Sequence, residues 1–333
     1  MSSTPTADGI ARDATWLAQA LDPAEGAVRL VAMDSDSYRA ASFLDDRLLQ
    51  AAVDAEIVPW TLIEQAMAGE LRSDARWIFH IGHVGSTLVS RLLGEIEGVL
   101  AVREPRLLRD LALTPAEIRQ RYVAPVAKLL SRTFGEAEIA CVKATSFASE
   151  IADALMPPGQ RALFMYATPR NYVASILAGE NSTKEARLLA GSRSQRLNSR
   201  GIYLPAQGDA GLAAAAWACE ITALEQVAKR YSDRNILWTD FDAMLGDLAS
   251  ALTAVAEHFG FDTAAVAEIA NGPLVSRYSK AMEHGYSASL RRELIGEAAE
   301  RFAPAIEEAL AMLERAAEKS PLLARSLARA REG

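Results

Sequence analysis

Residues 79–93 read FHIGHVGSTLVSRLL and have the layout of an anion-binding loop. An apolar run leads into a turn containing Gly82 and Gly85, and an amphipathic segment follows with Ser86 and Thr87 at its start. Backbone N–H groups of such a turn, together with the positive end of a helix, attract phosphate without a cationic side chain. The alternative is an ordinary strand–helix turn in which glycine allows tight packing and Ser86 caps the helix.

The loop lacks the lysine of nucleoside triphosphatases. Their loop reads GxxxxGK[ST], in which the lysine reaches the β- and γ-phosphates and the hydroxyl residue binds Mg²⁺. No lysine precedes Ser86, and no predicted strand ends in a clear acidic Mg²⁺ ligand. His83 is the nearest potential cation. This chemistry argues against an ATP- or GTP-dependent enzyme.

Four further candidate residues follow apolar segments farther along the chain. Glu104 stands in VREP, where it could act as a general base or simply pair with a neighbouring arginine at the surface. Lys143 ends the segment IACVK, and Arg170 and Ser175 belong to TPRNYVAS. Lys143 and Arg170 could supply the positive charge that the glycine loop lacks, and Ser175 follows Arg170 in the same segment, although each of the three alone is more often a solvated surface group.

The elements that must position these residues form a repeating pattern. Five short apolar segments have the character of buried strands, and helical patterns lie between them. They are WIFHI (77–81), VLAVR (99–103), IACVK (139–143), ALFMY (162–166) and ILWT (236–239). The pattern predicts an α/β fold of three αβα layers around a mainly parallel sheet, with the candidate residues at the carboxyl ends of its strands.

The chain is expected to divide into three parts. These are an N-terminal subregion (1–75), an α/β core (76–290) with a polar insertion (179–211), and C-terminal helices (291–333). In the subregion, 27–33 has strand character, whereas 45–57 and 60–68 have helical patterns. The insertion indicates a surface segment or lid, most simply a solvated basic loop. The alanine-rich run at 211–231 predicts an amphipathic helix.

The composition is that of an ordinary globular protein. The 333 residues carry a formal net charge of −8, which argues against a nucleic-acid coat and against binding to an anionic membrane surface. No secretory signal or membrane-spanning run is visible in the sequence. Cys141 and Cys219 lie in apolar segments without metal-binding spacing, which favours reduced core thiols and a cytoplasmic location. The oligomeric state cannot be read from the sequence.

The order of these motifs resembles the sulfotransferase family, whose fold is related to that of P-loop nucleoside triphosphatases. The resemblance runs through FHIGHVGSTLVSRLL, VREP, VKATS and MYATPRNYVASIL to ILWTDFDAMLGDLASALTAVAEHFGF, and covers roughly residues 76–290. It implies an enzyme that moves a sulfuryl group from 3′-phosphoadenylyl sulfate (PAPS) to a hydroxyl or amine of a small molecule or glycan, without a metal.

The resemblance also implies roles for individual residues. The glycine loop would hold the donor's 5′-phosphosulfate, Glu104 would be the base, and Ser175 would bind the 3′ phosphate. On chemical grounds His83 or Lys143 could assist the leaving oxygen, although His83 could equally be a loop histidine without a role. The residues implied in donor binding are Gly82, Gly85, Ser86, Thr87, Arg170 and Ser175. Arg277, Ser279 and Lys280 lie where the family often places a late loop on the 3′ phosphate.

The sequence departs from the family at two positions that carry charge. The family loop usually reads PRSGTT or PKSGTT, whereas HVGST has no lysine or arginine. Ala167 stands where the family has its first arginine before the xPR motif, which leaves Arg170. These losses keep a second hypothesis open, namely a catalytically silent relative that binds a nucleotide or a phosphorylated partner.

Overall fold

The computed structural model describes residues 4–50, 53–157, 159–231, 235–276 and 288–332. Its strands are β1 (Trp16–Asp22), β2 (Ala27–Ala32), β3 (Ala55–Pro59), β4 (Arg76–His80), β5 (Val99–Arg103), β6 (Ile139–Lys143), β7 (Ala162–Tyr166) and β8 (Ile236–Asp240). Its α-helices are α1 (Ala7–Arg12), α2 (Ser35–Ala40), α3 (Trp60–Ala66), α4 (Ser86–Leu93), α5 (Arg106–Leu113), α6 (Ala116–Leu129), α7 (Ala152–Leu155), α8 (Pro169–Leu177), α9 (Glu180–Leu188), α10 (Ala190–Ser199), α11 (Gly208–Ala228), α12 (Phe241–Met244), α13 (Leu248–Phe259), α14 (Val266–Ala270), α15 (Ala288–Arg301), α16 (Ala303–Ala317) and α17 (Pro321–Glu332).

The central sheet has the strand order β5-β6-β4-β7-β8, and every neighbouring pair is parallel. Its middle strand, β4, is almost completely buried because helices cover both faces of the sheet. The predicted three-layer αβα architecture and its five strands are therefore confirmed. Strands β5 and β6 lie on one side of β4, and β7 and β8 lie on the other. Open α/β sheets bind ligands in the crevice at the carboxyl ends of the strands, at the point where the strand order reverses.

The N-terminal subregion forms a separate antiparallel sheet with the order β1-β2-β3. The predicted strand at 27–33 corresponds to β2, and the helical pattern at 60–68 corresponds to α3. The helix predicted over 45–57 is wrong. Asp46–Gln50 forms a 3-10 helix, and β3 follows because its residues pair with β2. Strand β1 was not predicted.

A buried arginine attaches this subregion to the central sheet. Arg103, the last residue of β5, donates from Nε to the carbonyl oxygen of Ala41 at 2.8 Å and from NH2 to those of Arg39 (3.1 Å) and Tyr38. Burial lowers the pKa of Arg103 to about 10, so its guanidinium stays charged at neutral pH. The N–H of Leu44 donates to the carbonyl of Arg103 at 2.7 Å. The subregion is thereby fixed at the carboxyl end of β5.

The polar segment 179–211 lies largely at the surface, as expected, but it is mainly helical and does not form a loop along its length. It contains α9, α10 and the first residues of α11. Arg193 is 5% exposed and lies 3.3 Å from Glu220 of α11, while Arg196 lies 2.8 Å from Glu150. Arg193 neutralises the buried carboxylate of Glu220, and Arg196 pairs with the half-buried Glu150, so the charge of both arginines is committed within the protein.

Helix α11 is buried along most of its length, on more sides than an amphipathic surface helix would be. Trp217 is 0% exposed and donates from Nε1 to the carbonyl of Ala167 at 2.9 Å. Cys219 on this helix and Cys141 on β6 are both buried free thiols. Among the described residues, no helix combines the length and apolar character needed to cross a membrane.

Candidate functional site

The loop between β4 and α4 has an unusual backbone. Gly82 (φ +81°), His83 (φ +55°) and Gly85 (φ +60°) all occupy the left-handed region, which is uncommon for a residue with a side chain. Gly85 is the N-cap of α4, and no side chain accepts a hydrogen bond from the first turn of the helix. Ser86 therefore does not cap the helix, whereas the tight packing that the same alternative expected of glycine is present at Gly85.

The backbone N–H groups at the start of α4 are not paired by the helix itself. Within the described part of the chain, the N–H groups of residues 84–87 have no hydrogen-bond partner. Successive unpaired N–H groups at a helix N-terminus form a site for an anion. Gly82 and Gly85 are half-buried, so the loop faces the edge of the sheet where a ligand could approach.

Gly85 is required by its contacts as well as by its backbone. A Cβ added there would lie only 1.9 Å from Cζ of Phe241. Phe241 follows β8 directly and is 1% exposed, so its ring cannot easily move aside. The aromatic ring thus holds the loop against the sheet.

A neutral histidine fixes the other end of the loop. The N–H of Gly82 donates to Nδ1 of His80 at 3.0 Å, so Nδ1 carries no proton, and Nε2 is 2.9 Å from the carbonyl of Ala144. Burial lowers the pKa of His80 below its ordinary value, although the nearby Glu104 carboxylate acts in the opposite direction. His80 is therefore neutral at pH 7 and positions Gly82. Sequence reasoning missed it, and its signal was a histidine ending an apolar strand.

Lys143 and Glu104 meet directly beside the loop. Lys143 ends β6, is 1% exposed, and makes an ion pair with Oε1 of Glu104 at the end of β5. Its Nζ also donates to Oγ1 of Thr87 in the first turn of α4, at 2.9 Å. Three sequence candidates from three elements are therefore in contact at one edge of the sheet, where parallel strands present their carboxyl ends.

Glu104 is held in a strained conformation. Its φ is +52°, and the following Pro105 disfavours such a backbone further. Its own N–H donates to the carbonyl of Lys143 at 2.8 Å. Conformations of this kind cost about 1–3 kcal/mol and cluster at functional sites. The strain directs the carboxylate toward the loop.

The charge on Lys143 controls the protonation of this carboxylate. Burial alone would raise the pKa of Glu104, but the ammonium of Lys143 and the neighbouring His80 outweigh it and hold the pKa far below the usual range. Nε2 of His80 lies 3.7 Å from Oε1 of Glu104. In the free protein Glu104 is therefore fully ionised and a weak base.

The N-terminal subregion closes one side of this pair. The guanidinium of Arg47 stacks on the ring of Phe43 at 3.3 Å, and its NH2 lies 3.8 Å from Oε2 of Glu104. Nζ of Lys143 lies 5.4 Å from the centroid of the same ring. The sequence did not single out Phe43 or Arg47, because only the attachment through β5 brings them to Glu104.

Three other candidates have contacts on the α8 side of the loop. His83 lies 3.9 Å from Glu185 and packs edge-on against Tyr172. Arg170 is 45% exposed and pairs with Glu307 of α16. Ser175 donates its hydroxyl to the carbonyl of Tyr172 at 2.8 Å. The structure does not gather these three residues around the Lys143–Glu104 pair.

A cation outside the sequence candidates lies near Gly85. Arg291, in the first turn of α15, stacks over the ring of Phe241 at 5.0 Å and donates from Nε to Asp242 at 2.7 Å. Asp242 also accepts from Nδ2 of Asn171 at 3.1 Å. Within the described residues NH2 of Arg291 is buried without a hydrogen-bond acceptor. A buried guanidinium N–H of this kind requires an explanation, and a bound anion would satisfy it.

The solved structures similar to this chain include several sulfotransferases. One is a sulfotransferase domain from the curacin biosynthetic pathway, with 10% identity and a TM-score of 0.42, covering 70% of this chain and 99% of that one. Another is a mouse sulfotransferase complexed with PAP, with 10% identity and a TM-score of 0.41, covering 78% and 90%. A third is the STF1 sulfotransferase of Mycobacterium tuberculosis H37Rv, with 13% identity and a TM-score of 0.41, covering 71% and 82%.

No family model matches the chain, and no curated protein matches it. The late-loop residues named from the sequence, Arg277, Ser279 and Lys280, lie outside the described residues.

Replacing Gly85 by alanine should destabilise the protein by on the order of 2–4 kcal/mol. About 1 kcal/mol would come from the left-handed backbone and the rest from overpacking against Phe241. Gly191→Ala is the matched control, because a Cβ there meets nothing within 4 Å and alanine favours the α10 helix. Urea unfolding measures both. Equal stability of the two variants would contradict the packing described for Gly85.

The stability contributed by His80 should depend on pH. Its folded pKa lies below the ordinary value of 6.5, so below that pH the unfolded chain binds a proton that the native protein excludes. The free energy of unfolding should therefore decrease as the pH is lowered, by up to about 1.4 kcal/mol per pH unit. His80→Gln removes this contribution. Urea unfolding is measured for both proteins between about pH 7.5 and 5.5. The stability of the wild type relative to His80→Gln should decrease as the pH is lowered. If the free energies of unfolding of the two proteins change in parallel with pH, a neutral buried His80 is excluded.

Proposed function

We propose that this protein is a sulfotransferase that moves a sulfuryl group from PAPS to a hydroxyl or amine of a small molecule or glycan. One observation supports the proposal above all. The glycine loop, whose helix has no side-chain cap, lies beside the Lys143–Glu104 pair at one edge of the sheet. An anion site and a carboxylate base are the two groups that such a transfer needs. The PAP complex of the mouse sulfotransferase agrees with the choice of donor.

The residues present suit a nucleotide donor. The unpaired N–H groups of residues 84–87 and the hydroxyl of Ser86 would hold the 5′-phosphosulfate, with Gly82 and Gly85 giving the loop its shape. Lys143 would neutralise this group through its position beside Thr87. Arg291 would place a second cation next to Phe241, whose ring lies against Gly85. These groups would replace the lysine that the loop lacks.

The chemistry assigned to the chain is a single displacement. Glu104 accepts the proton of the acceptor's hydroxyl or amine as that atom forms a bond to sulfur. The bond between sulfur and the bridging oxygen breaks, and its electron pair stays on that oxygen, so 3′,5′-ADP leaves. Lys143 would stabilise the charge that develops on the leaving group. Positioning and fixed charge can supply such catalysis without a covalent intermediate.

Donor binding is tested by thermal stabilisation with 3′,5′-ADP, ATP and 5′-AMP. Ligands that bind only the native state stabilise it by mass action, by about 2.7 kcal/mol at one hundred times the dissociation constant. We expect 3′,5′-ADP to stabilise the protein most. Indifference to all three nucleotides would exclude the donor site.

Catalysis is tested with Glu104→Gln. This variant should retain stabilisation by 3′,5′-ADP but lose turnover by about 100-fold or more, since a general base contributes about 10²–10⁴-fold. Glu185→Gln, which removes a carboxylate near His83, is the control and should keep its turnover. Sulfuryl transfer from radiolabelled PAPS to a panel of acceptors measures the rate. Full turnover by Glu104→Gln would refute the role of this residue, and nucleotide binding without any transfer would favour the silent relative.

A further inference from the structure

The ammonium of Lys143 lies between Thr87, next to the proposed donor site, and Glu104, the proposed base for the acceptor. One hydrogen bond goes to Oγ1 of Thr87, at the start of the helix behind the glycine loop. The ion pair with Glu104 joins it to the proposed base. Because Lys143 is 1% exposed, its ammonium is enclosed at this junction.

An anion on the loop would compete with Glu104 for Lys143. The unpaired N–H groups include that of Thr87 itself, so the anion would lie next to the hydroxyl that Lys143 already contacts. A phosphate or sulfuryl oxygen and a carboxylate oxygen are both acceptors for the same ammonium protons. An ammonium turns its three donors freely on a flexible stem, so it can exchange partners.

We propose, on the basis of the function proposed above, that Lys143 passes from Glu104 to the donor when the nucleotide binds, and that this exchange releases Glu104 to act as the base. Glu104 would then be faced by the neutral ring of His80 and by the guanidinium of Arg47, 46% exposed and 3.8 Å away. The donor must accordingly bind before the acceptor can be activated. Lys143 is thus both a donor-binding residue and a positioning residue for the base.

The exchange strengthens the base at the moment when it is needed. Burial acts to raise the pKa of Glu104, and in the free protein Lys143 is the largest influence against it. Once the ammonium has moved to the donor, the effect of burial is less opposed and the carboxylate holds a proton more readily. The same device keeps Glu104 weakly basic when no donor is present.

The first test compares the affinity of 3′,5′-ADP for wild type, Glu104→Gln and Glu185→Gln by isothermal calorimetry. Removing the carboxylate that competes for Lys143 should tighten binding by about five-fold or more, the lower end of typical coupling between sites. Glu185→Gln removes a charge near the loop without touching Lys143, so its affinity should stay within about two-fold of wild type. Unchanged or weaker binding by Glu104→Gln would overturn the exchange, and so would equal tightening in both variants.

The second test uses the wild-type protein and does not depend on a variant that folds. A crystal structure with 3′,5′-ADP should place Nζ of Lys143 within hydrogen-bond distance of a 5′-phosphate oxygen and away from Glu104. An intact Lys143–Glu104 pair in that complex would overturn the exchange while leaving the donor site and the proposed function standing. Failure of the wild type to bind 3′,5′-ADP at all would overturn both.

Discussion

The site depends on an ion pair between the buried Lys143 and the partly buried Glu104, which lie at the ends of two neighbouring strands. Lys143 and Glu104 are brought together because β5 and β6 are parallel and in register, with Arg103 opposite Lys143. A buried charge such as that of Lys143 is costly unless it is paired and hydrogen-bonded, and Thr87 supplies a hydrogen bond in addition to the ion pair with Glu104. The start of α4, Lys143 and Glu104 are therefore joined by direct contacts, and the position of each depends on the other two.

Much of the architecture could be predicted from the sequence, for a physical reason. Strands buried on both faces consist of continuous apolar runs, and all five such runs proved to be strands of the central sheet. The residues ending these runs necessarily meet at one edge, which is why Glu104 and Lys143 could be named in advance. His80 escaped notice although it ends β4, because a single histidine at the end of an apolar run is a weak signal by itself.

Other parts of the site could not be predicted, because they depend on contacts between distant segments. Arg291 is about 200 residues from the loop in the sequence and reaches it only through Phe241. Arg47 and Phe43 belong to the N-terminal subregion, which Arg103 fastens beside Glu104. The polar insertion lies largely at the surface, as its composition indicates. Its composition does not reveal that Arg193 is buried, because that burial depends on Glu220 in the distant part of α11.

Part of the segment 45–57, for which a helix was wrongly predicted, belongs to strand β3. The open edge of this strand bears on whether other chains can pair with the sheet. Strand β3 forms the outer border of the N-terminal sheet and exposes most of its residues, with Ile57 71% exposed. A bare border of this kind offers hydrogen-bonding groups to any passing chain. Glu56 brings a charge to it, and Pro59 ends it with a residue that has no N–H to donate. These two residues discourage other polypeptides from extending the sheet by one more strand.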